Sequence, residues 1–366
     1  MRRKSAALLL ALAFLTASCV MVAKPAFSSS AVVTENTWVT KTPMPTARGY
    51  LQVAVANEKI YSIGGSGPIG TNEEYDPATD TWATKTSMPN PQQSFAIAVY
   101  QGKIYCIGGL SGGVSTDNQV YDPANDSWET KASMPTARYG LQANVVNGRI
   151  YCMGGVRWLG YNQGAEQLNN NEVYDPSDDT WTTKASMPNP AGYVSAVVDN
   201  KIYVIGPELT QVYDPDTDSW SIASPAPINI TAGGANGVAA AAAATTGKIA
   251  PKRIYVYDGA SLQVYNPLND TWGLGANPPT SRQYLGIAVV NDILYFIGGF
   301  TYAPPGFFND YATSEQYIPF GYGTISPESE PEPFPTTLVV ASVITVAVVG
   351  IGLLVYFKKR RVKSGG

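Results

Sequence analysis

The sequence Tyr-Asp-Pro-Ala-Thr-Asp-Thr-Trp at residues 75–82 indicates the fold class, because close copies of it recur along the chain. A tyrosine and a tryptophan stand seven residues apart in every copy, and four of the five copies keep the Asp-Pro pair. The copies begin at Tyr75, Tyr121, Tyr174, Tyr213 and Tyr265. Repeats of about 40–50 residues are typical of stacked or circular architectures such as β-propellers.

Six β-rich runs accompany these copies. The clearest are Ile-Tyr-Ser-Ile-Gly-Gly at 60–65 and its relatives at 104–109, 150–155 and 294–299, with weaker versions at 202–206 and 254–257. Alternating β-branched and aromatic residues predict half-buried strands, and a short apolar strand precedes each run. Asp-Pro predicts a type I turn, in which the aspartate caps backbone N–H groups, and the tryptophan after it fills space between sheets.

A Gly-Gly doublet, then Tyr-Asp-Pro, then Trp at this spacing resembles the kelch repeat, over residues 35–323. The resemblance implies four-stranded blades around a channel, and six glycine-ended strands imply six blades. The sixth blade stops near Tyr317 without a tryptophan strand, whereas Trp38, at 35–43, has no strand before it. We therefore expect an all-β propeller that the N-terminal strand closes. The Ala-rich stretch 238–246 is the weakest inner strand.

The two ends predict the cellular location. Residues 1–31 have the basic start and short apolar core of a secretory leader. Residues 338–357 carry no charge and are long enough for a single membrane helix, after a Pro/Glu-rich stalk at 324–337 and before a basic tail at 358–366. We expect a cell-surface protein with an extracellular propeller and a cytoplasmic C-terminus. The alternative is a C-terminal sorting signal, whose helix a peptidase removes.

Composition excludes several functions. The chain has no histidine, which rules out Ser-His-Asp catalysis, imidazole metal ligands and the two metal-binding histidines of kelch-type copper-radical oxidases. The net charge is −4 and the basic excess lies at the two ends, so nucleic acid is not an expected partner. Cys106 and Cys152 occupy equivalent strand positions and are expected to be buried and unbridged. No catalytic residue, metal or cofactor is predicted.

Arginines and aromatic residues form the predicted ligand site. Arg48, Arg138 and Arg282 follow Pro-Thr-[Ala/Ser] turns and begin inner strands, where relatives of the kelch family bind acidic peptides. The alternative is that each arginine pairs with a turn carboxylate. Two long loops at 156–173 and 300–316 belong to the same predicted face and add aromatic candidates. Their candidate residues are Arg157, Trp158, Tyr161, Tyr302, Phe307, Phe308 and Tyr311.

These features predict a surface recognition module that binds an extracellular protein or glycan through one propeller face. A carbohydrate-active enzyme with paired acids at the channel mouth and a structural envelope component are the alternatives. An Arg-aromatic mouth favours binding, whereas converging acids favour catalysis. Three sequons predict glycosylation at Asn125, Asn229 and Asn269.

Overall fold

The computed structural model describes residues 33–67, 69–160, 164–190, 194–206, 209–227, 241–303 and 307–324. These residues form strands, turns and irregular loops, and no helix occurs among them. A helix with the length and apolarity needed to cross a membrane is therefore absent from the described ranges. The predicted leader, membrane helix and tail, and the stalk beyond residue 324, lie outside them and stay predictions.

Six antiparallel sheets of four strands each form the blades. Blade 1 contains β2 (Gln52–Ala56), β3 (Lys59–Ile63), β4 (Asn72–Asp76) and β5 (Thr81–Lys85). Blade 2 contains β6 (Ala96–Tyr100), β7 (Lys103–Ile107), β8 (Asn118–Asp122) and β9 (Ser127–Thr130). Blade 3 contains β10 (Gln142–Val146), β11 (Arg149–Met153), β14 (Asn171–Asp175) and β15 (Thr180–Thr183). Blade 4 contains β16 (Val194–Val198), β17 (Lys201–Ile205), β18 (Thr210–Asp214) and β19 (Ser219–Ala223). Blade 5 contains β20 (Ala241–Ala244), β21 (Ile254–Tyr257), β22 (Leu262–Asn266) and β23 (Thr271–Leu274).

Blade 6 contains β24 (Gly286–Val290), β25 (Ile293–Ile297), β28 (Ser314–Ile318) and, as its outer strand, β1 (Thr37–Lys41). The first strand of each blade contacts the first strand of the next, and β24 returns to β2. The six blades therefore form a closed ring around a central channel. Two extra hairpins leave blades 3 and 6, namely β12 (Val156–Gly160) with β13 (Gly164–Gln167), and β26 (Phe300–Ala303) with β27 (Phe307–Asp310).

The N-terminal strand closes the ring, which confirms the prediction from Trp38. Strand β1 pairs antiparallel with β28 and sets Trp38 opposite Tyr317, as each other blade sets its tryptophan opposite its tyrosine. The prediction that the Ala-rich stretch 238–246 supplies the inner strand of blade 5 is also confirmed in part, since β20 pairs with β21 over residues 241–244.

The hydrophobic core lies between the blades, in six equivalent clusters. The cluster between blades 6 and 1 contains Ile60 and Tyr75 of blade 1 with Tyr295 and Ile297 of blade 6, and Trp82 packs against it. The ring centroids of Tyr75 and Trp82 are 5.0 Å apart. Each tryptophan therefore fills the space between sheets, as expected.

A repeated hydrogen-bond clamp joins each blade to the one before it. In blade 1, Asp80 Oδ1 accepts from the Tyr75 hydroxyl (2.6 Å) and from the backbone N–H of Thr42 (2.9 Å), which belongs to blade 6. The indole N–H of Trp82 donates to the carbonyl of the same Thr42 at 2.9 Å. Equivalent aspartates in blades 2 to 5 are Asp126, Asp179, Asp218 and Asp270.

The Gly-Gly doublets are needed where blades meet. Gly64 has φ 66°, and a Cβ there would lie 2.5 Å from the carbonyl oxygen of Gln92 in blade 2. A Cβ at Gly298 would lie 2.8 Å from the carbonyl oxygen of Arg48 in blade 1. Any larger residue would therefore push neighbouring blades apart.

The meander gives the ring two faces. We call the face that carries the loops between blades and the loops after each second strand the upper face, and the opposite one the lower face. Strand β28 runs towards the lower face and β1 starts there, so the backbone N–H of Asn36 reaches the carbonyl of Ile318 at 2.7 Å. Both ends of the described propeller thus lie at the lower face.

Candidate functional site

The three predicted ligand arginines are buried, which corrects the prediction that they form an exposed basic mouth. Arg48, Arg138 and Arg282 are 1%, 0% and 0% exposed. They pair with Glu73, Glu172 and Glu315, each at 2.5 Å between Nη1 and Oε2. These glutamates lie on the third strand of the same blade and not in turns, so the alternative of a turn carboxylate also needs correction.

Each arginine fastens three segments of its own blade. In blade 1 the Arg48 guanidinium donates to the carbonyls of Thr46 (3.0 Å), Ser62 (2.9 Å) and Gly64 (2.8 Å), and also to the Ser62 hydroxyl and Glu73. All five guanidinium N–H groups thus have acceptors. The arginine links the loop before β2, the end of β3 and strand β4, which is a structural role.

Electrostatics within these pairs follow from burial. Burial lowers the pKa of Arg48 below its ordinary value, although the hydrogen bond and charge of Glu73 oppose this. Burial alone would raise the pKa of Glu172, but the charge of Arg138 and hydrogen bonds from Thr136, Arg138 and Asn170 hold that pKa below its ordinary value. The carboxyl of Glu172 is therefore ionised at neutral pH.

A sequence signal for this pairing exists in the repeat itself. The blades with the arginine have glutamate at the third-strand position, whereas blades 2, 4 and 5 lack the arginine and have Gln119, Gln211 and Gln263 there. In blade 2 the Gln119 side chain bonds both the N–H and the carbonyl of Asn90, at 2.9 Å each. The arginine before the first strand thus occurs only in blades with a glutamate on the third strand, as expected of two residues that form a structural ion pair.

The hairpin β26–β27 carries an aromatic cluster on the upper face. Tyr302 and Phe308 are 63% and 60% exposed, and their ring centroids are 5.9 Å apart. Phe308 also meets the buried Phe300 edge-on at 5.2 Å. Tyr311 is half-buried, and its hydroxyl lies 3.2 Å from Thr301 Oγ1. The side chain of the remaining candidate, Phe307, lies outside the described residues.

Two tyrosines that the sequence analysis did not single out extend this cluster to the channel mouth. The rings of Tyr50 and Tyr284 are 4.3 Å apart, and Phe300 stacks on Tyr284 at 5.0 Å. Both tyrosines have positive φ, 54° and 53°, which is rare for bulky residues and costs on the order of 1–3 kcal/mol each. The recurring Arg-x-Tyr of residues 48–50 and 282–284 is the signal for this pair.

Backbone hydrogen bonds hold the mouth together. The N–H of Tyr50 donates to the carbonyl of Tyr284 (3.0 Å), the N–H of Ser94 to that of Tyr50 (3.3 Å), and the N–H of Gly140 to that of Ser94 (2.7 Å). This chain of bonds crosses blades 6, 1, 2 and 3 in turn. It requires the left-handed conformation at these positions, which explains the strained tyrosines.

The aromatic hairpin of blade 6 is fixed to blade 1. Asp310 accepts hydrogen bonds from the Gly49 N–H (3.1 Å) and the Ser66 hydroxyl (3.0 Å). A Cβ at Gly49 would lie 2.5 Å from Phe300, so only glycine allows this approach. The hairpin therefore bridges blades 6 and 1 on the upper face.

The second hairpin, β12–β13, presents the other candidate residues. Trp158 and Leu159 are 43% and 40% exposed. Arg157 pairs with Glu166 across the hairpin at 2.5 Å, and both side chains are about half exposed. Tyr161 lies outside the described residues. Blades 3 and 6 are three positions apart in a ring of six, so the two hairpins stand on opposite sides of the channel mouth.

Comparison with known proteins agrees with this geometry. The family model described as "Kelch motif" matches residues 47–89, 93–135 and 137–188, which correspond to blades 1, 2 and 3. The chain is a kelch-repeat β-propeller. Blades 4 to 6 carry the same Tyr-Trp pairs and the same clamps.

A solved structure titled "Structure of YjhT" resembles this kelch propeller with a TM-score of 0.62 and 17% sequence identity, over 75% of this chain and 95% of that one. At this identity the likeness shows the fold alone. No curated protein matches the sequence. Kelch propellers typically mediate protein binding, and the specific ligand has to be inferred from this chain's own surface.

The predicted cysteines and two of the three predicted glycosylation sites lie among the described residues. Cys106 and Cys152 are buried and unbridged, as expected. Asn125 and Asn269 lie exposed in the turns between third and fourth strands, whereas Asn229 lies outside the described residues. In the described ranges no three acidic or cysteine side chains come together as a metal site would require.

Proposed function

We propose that this kelch propeller is a cell-surface recognition module that binds an extracellular protein through its upper face. The observation that carries the proposal is the pair of hairpins on opposite blades, each with exposed aromatic side chains. Trp158 on one hairpin and Tyr302 and Phe308 on the other offer large, rigid contact areas at a low entropic cost. A partner that lies across the mouth would contact both hairpins at once.

The rigid support of these residues favours recognition. Asp310 and Gly49 fix one hairpin to blade 1, and the Arg157–Glu166 pair crosses the other. A fixed aromatic surface loses little conformational freedom when a partner binds, which raises affinity. The buried arginines stabilise the blades beneath this surface and take no direct part in binding.

Two alternatives remain as outcomes of experiment. Exposed aromatic rings also stack on sugars, so a glycan is the second candidate ligand for the same hairpins. A carbohydrate-active enzyme of the usual kind needs two carboxylates about 5–10 Å apart in a cleft. The described residues that line the cavity at the upper end of the channel carry no carboxylate, so we favour binding over catalysis.

The location is the second part of the proposal. The predicted secretory leader at 1–31 and the apolar segment 338–357 support export and anchoring. Both ends of the described propeller lie at the lower face, so a C-terminal anchor would leave the upper face directed away from the membrane. This orientation presents the aromatic hairpins to partners outside the cell.

Site-specific photo-crosslinking on intact cells tests the proposal. A photoreactive amino acid replaces Tyr302 in one variant and Leu268 in the control, because Leu268 is 93% exposed but lies in a lower-face turn. We expect a discrete protein adduct from position 302 and not from position 268. Equal adducts from both positions, or none from position 302, would contradict protein binding by the upper face. A glycan array with the same protein tests the second candidate.

A further inference from the structure

The outer edge of blade 4 lacks the protection that most other blades have. Strand β19 is the last strand of its sheet, and none of the described strands pairs with its outer edge. An edge strand presents backbone N–H and C=O groups that can pair with another strand, and proteins often protect such edges with lysine. The outer strands of the six blades occupy equivalent positions, so their residues correspond one to one.

Four of the six outer strands carry a threonine two residues after the tryptophan and a lysine directly after that threonine. The threonine lies opposite the glutamate or glutamine of the third strand. Each lysine nitrogen lies within 4.0 Å of a carboxylate oxygen. Charge therefore protects these four edges. The residues are Thr40 and Lys41 in blade 6, Thr84 and Lys85 in blade 1, Thr130 and Lys131 in blade 2, and Thr183 and Lys184 in blade 3.

Blades 4 and 5 lack both residues. At the two positions blade 4 has Ile222 and Ala223, and blade 5 has Leu274 and Gly275. Ile222 and Leu274 are 62% and 67% exposed, so an apolar side chain replaces threonine in solvent and not in the core. Packing within the ring does not require this exchange, because the other four blades fold with threonine there.

Strand β19 is the better of these two edges for pairing with another strand. Its five residues, Ser-Trp-Ser-Ile-Ala at 219–223, include no charged residue, glycine or proline. Strand β23 contains Gly273, and a glycine inside a strand weakens it. Trp220 and Ile222 are two residues apart and therefore lie on the same face of β19. Trp220 packs on Tyr213 with ring centroids 4.9 Å apart, whereas Ile222 extends into solvent.

We infer that the outer edge of blade 4 pairs with the same edge of a second copy of this chain. Two-fold pairing of a strand with its own copy is antiparallel, and the register centred on Ser221 pairs all five residues. This register sets Trp220 of each copy opposite Ile222 of the other. The result is two aromatic–β-branched pairs, which are among the cross-strand pairs that stabilise sheets. The strand is thus complementary to itself.

The other edges support a second copy as the occupant. The same pairing in blade 1 would set Trp82 opposite Thr84 and would bring Lys85 of each copy into the contact. The apolar pairs would be absent, and two ammonium groups would lose part of their hydration. Of the six outer strands, β19 alone combines an exposed apolar side chain with a strand free of charge and glycine.

Sedimentation equilibrium of the full chain in detergent tests the inference. The test variant combines Ile222→Thr with Ala223→Lys, which installs the residues of the other four blades. We expect a reversible dimer of the wild type at chain concentrations up to about 100 µM, and a dissociation constant about tenfold higher in the test variant. Leu274→Thr makes the comparable exchange on the edge of blade 5 and should leave the dissociation constant unchanged.

Disulfide trapping tests the register. Ser221→Cys puts one cysteine of each copy at the two-fold axis, where opposite Cα atoms are about 4.5–5.5 Å apart, within the range of a disulfide. Ala83→Cys, at the equivalent exposed position of β5, is the matched control. The native Cys106 and Cys152 are buried. On mild oxidation we expect covalent dimers from Ser221→Cys, and from Ala83→Cys no more than from the wild type.

Four results would overturn the self-paired edge. They are a wild-type chain that stays monomeric, an unchanged dissociation constant in the test variant, an equal rise in Leu274→Thr, and equal trapping from Ser221→Cys and Ala83→Cys. Trapping of Ser221→Cys on a different protein of the cell, without a homodimer, would assign the edge to a partner's strand and would also contradict the second copy. The upper-face hairpins take no part in these tests, so the result is independent of the proposed partner binding.

Discussion

The hydroxyl of Tyr317 donates a 2.8 Å hydrogen bond to Asn36 Oδ1, although the two residues are 281 positions apart in the chain. In the other five blades the same tyrosine bonds an aspartate only five residues further on. Asn36 also accepts from the N–H of Ala276 in blade 5, at 2.7 Å. The two ends of the propeller thus assemble the clamp that every other blade forms locally.

Removal of residues 35–43 should therefore destabilise the whole ring. The deletion removes β1, leaves the edge of β28 unpaired and takes away the Trp38 side chain, which packs on Phe296 at 4.7 Å. We expect a melting temperature lower by about 10 °C, or aggregation during purification. Differential scanning calorimetry measures the change, and an unchanged melting temperature would rule out closure by β1.

A pair of substitutions at Asn36 tests the clamp itself. Asn36→Ala leaves the Tyr317 hydroxyl and the Ala276 N–H without their acceptor and should cost about 1–3 kcal/mol of stability. Asn36→Asp installs the residue of the other blades, whose aspartates share its left-handed φ of 47–57°, and should be close to wild type. Urea denaturation compares the two. Equal losses would show that the side chain of Asn36 contributes nothing specific.

The sequence was sufficient to predict the ring, its blade number and its closure, because the Tyr-Trp spacing and the unpaired Trp38 strand are local patterns. The prediction that the three arginines bind a ligand was wrong because their glutamate partners are distant in the chain. Arg48 and Glu73 are 25 residues apart and meet only when β2, β3 and β4 form one blade. Burial of a charged residue is rare, so an arginine after a turn was interpreted as exposed. The Tyr50–Tyr284 contact joins opposite ends of the repeat array and has no local signature beyond Arg-x-Tyr.

The buried pair Arg138–Glu172 should behave as a unit. Arg138→Gln leaves Glu172 charged and buried without its partner, which should cost about 3–5 kcal/mol. The double variant with Arg138→Gln and Glu172→Gln reproduces the pair of glutamines at 92 and 119 in blade 2, so it should recover at least half of that loss. A double-mutant cycle by urea denaturation measures the coupling. Additive losses would mean that the two side chains do not interact.

Stability should fall in acid partly through Glu172. The folded state holds the pKa of this carboxyl below its ordinary value of about 4.3, so its contribution is full above pH 4.3 and is lost as pH falls through the lower folded pKa. Melting temperatures between pH 7 and pH 3 should therefore drop less steeply in the double glutamine variant than in the wild type. Parallel curves would contradict this origin of the acid sensitivity.

The proposed topology predicts selective proteolysis. Protease added to intact cells should digest the propeller but spare a tag placed after Gly366. Protection of the propeller would contradict the surface location. Loss of the tag from the mature protein, with the propeller still at the surface, would instead favour the processed sorting signal.

The affinity of a crosslinked partner for point variants measures whether the two opposite hairpins bind it together. Trp158→Ala and Phe308→Ala remove exposed aromatic area from blades 3 and 6, and Leu268→Ala removes a comparable exposed side chain from the lower face. By calorimetric titration we expect each aromatic variant to weaken binding by about 1–3 kcal/mol, with wild-type affinity for Leu268→Ala and unchanged melting temperatures throughout. Wild-type affinity in both aromatic variants would contradict recognition by the two hairpins.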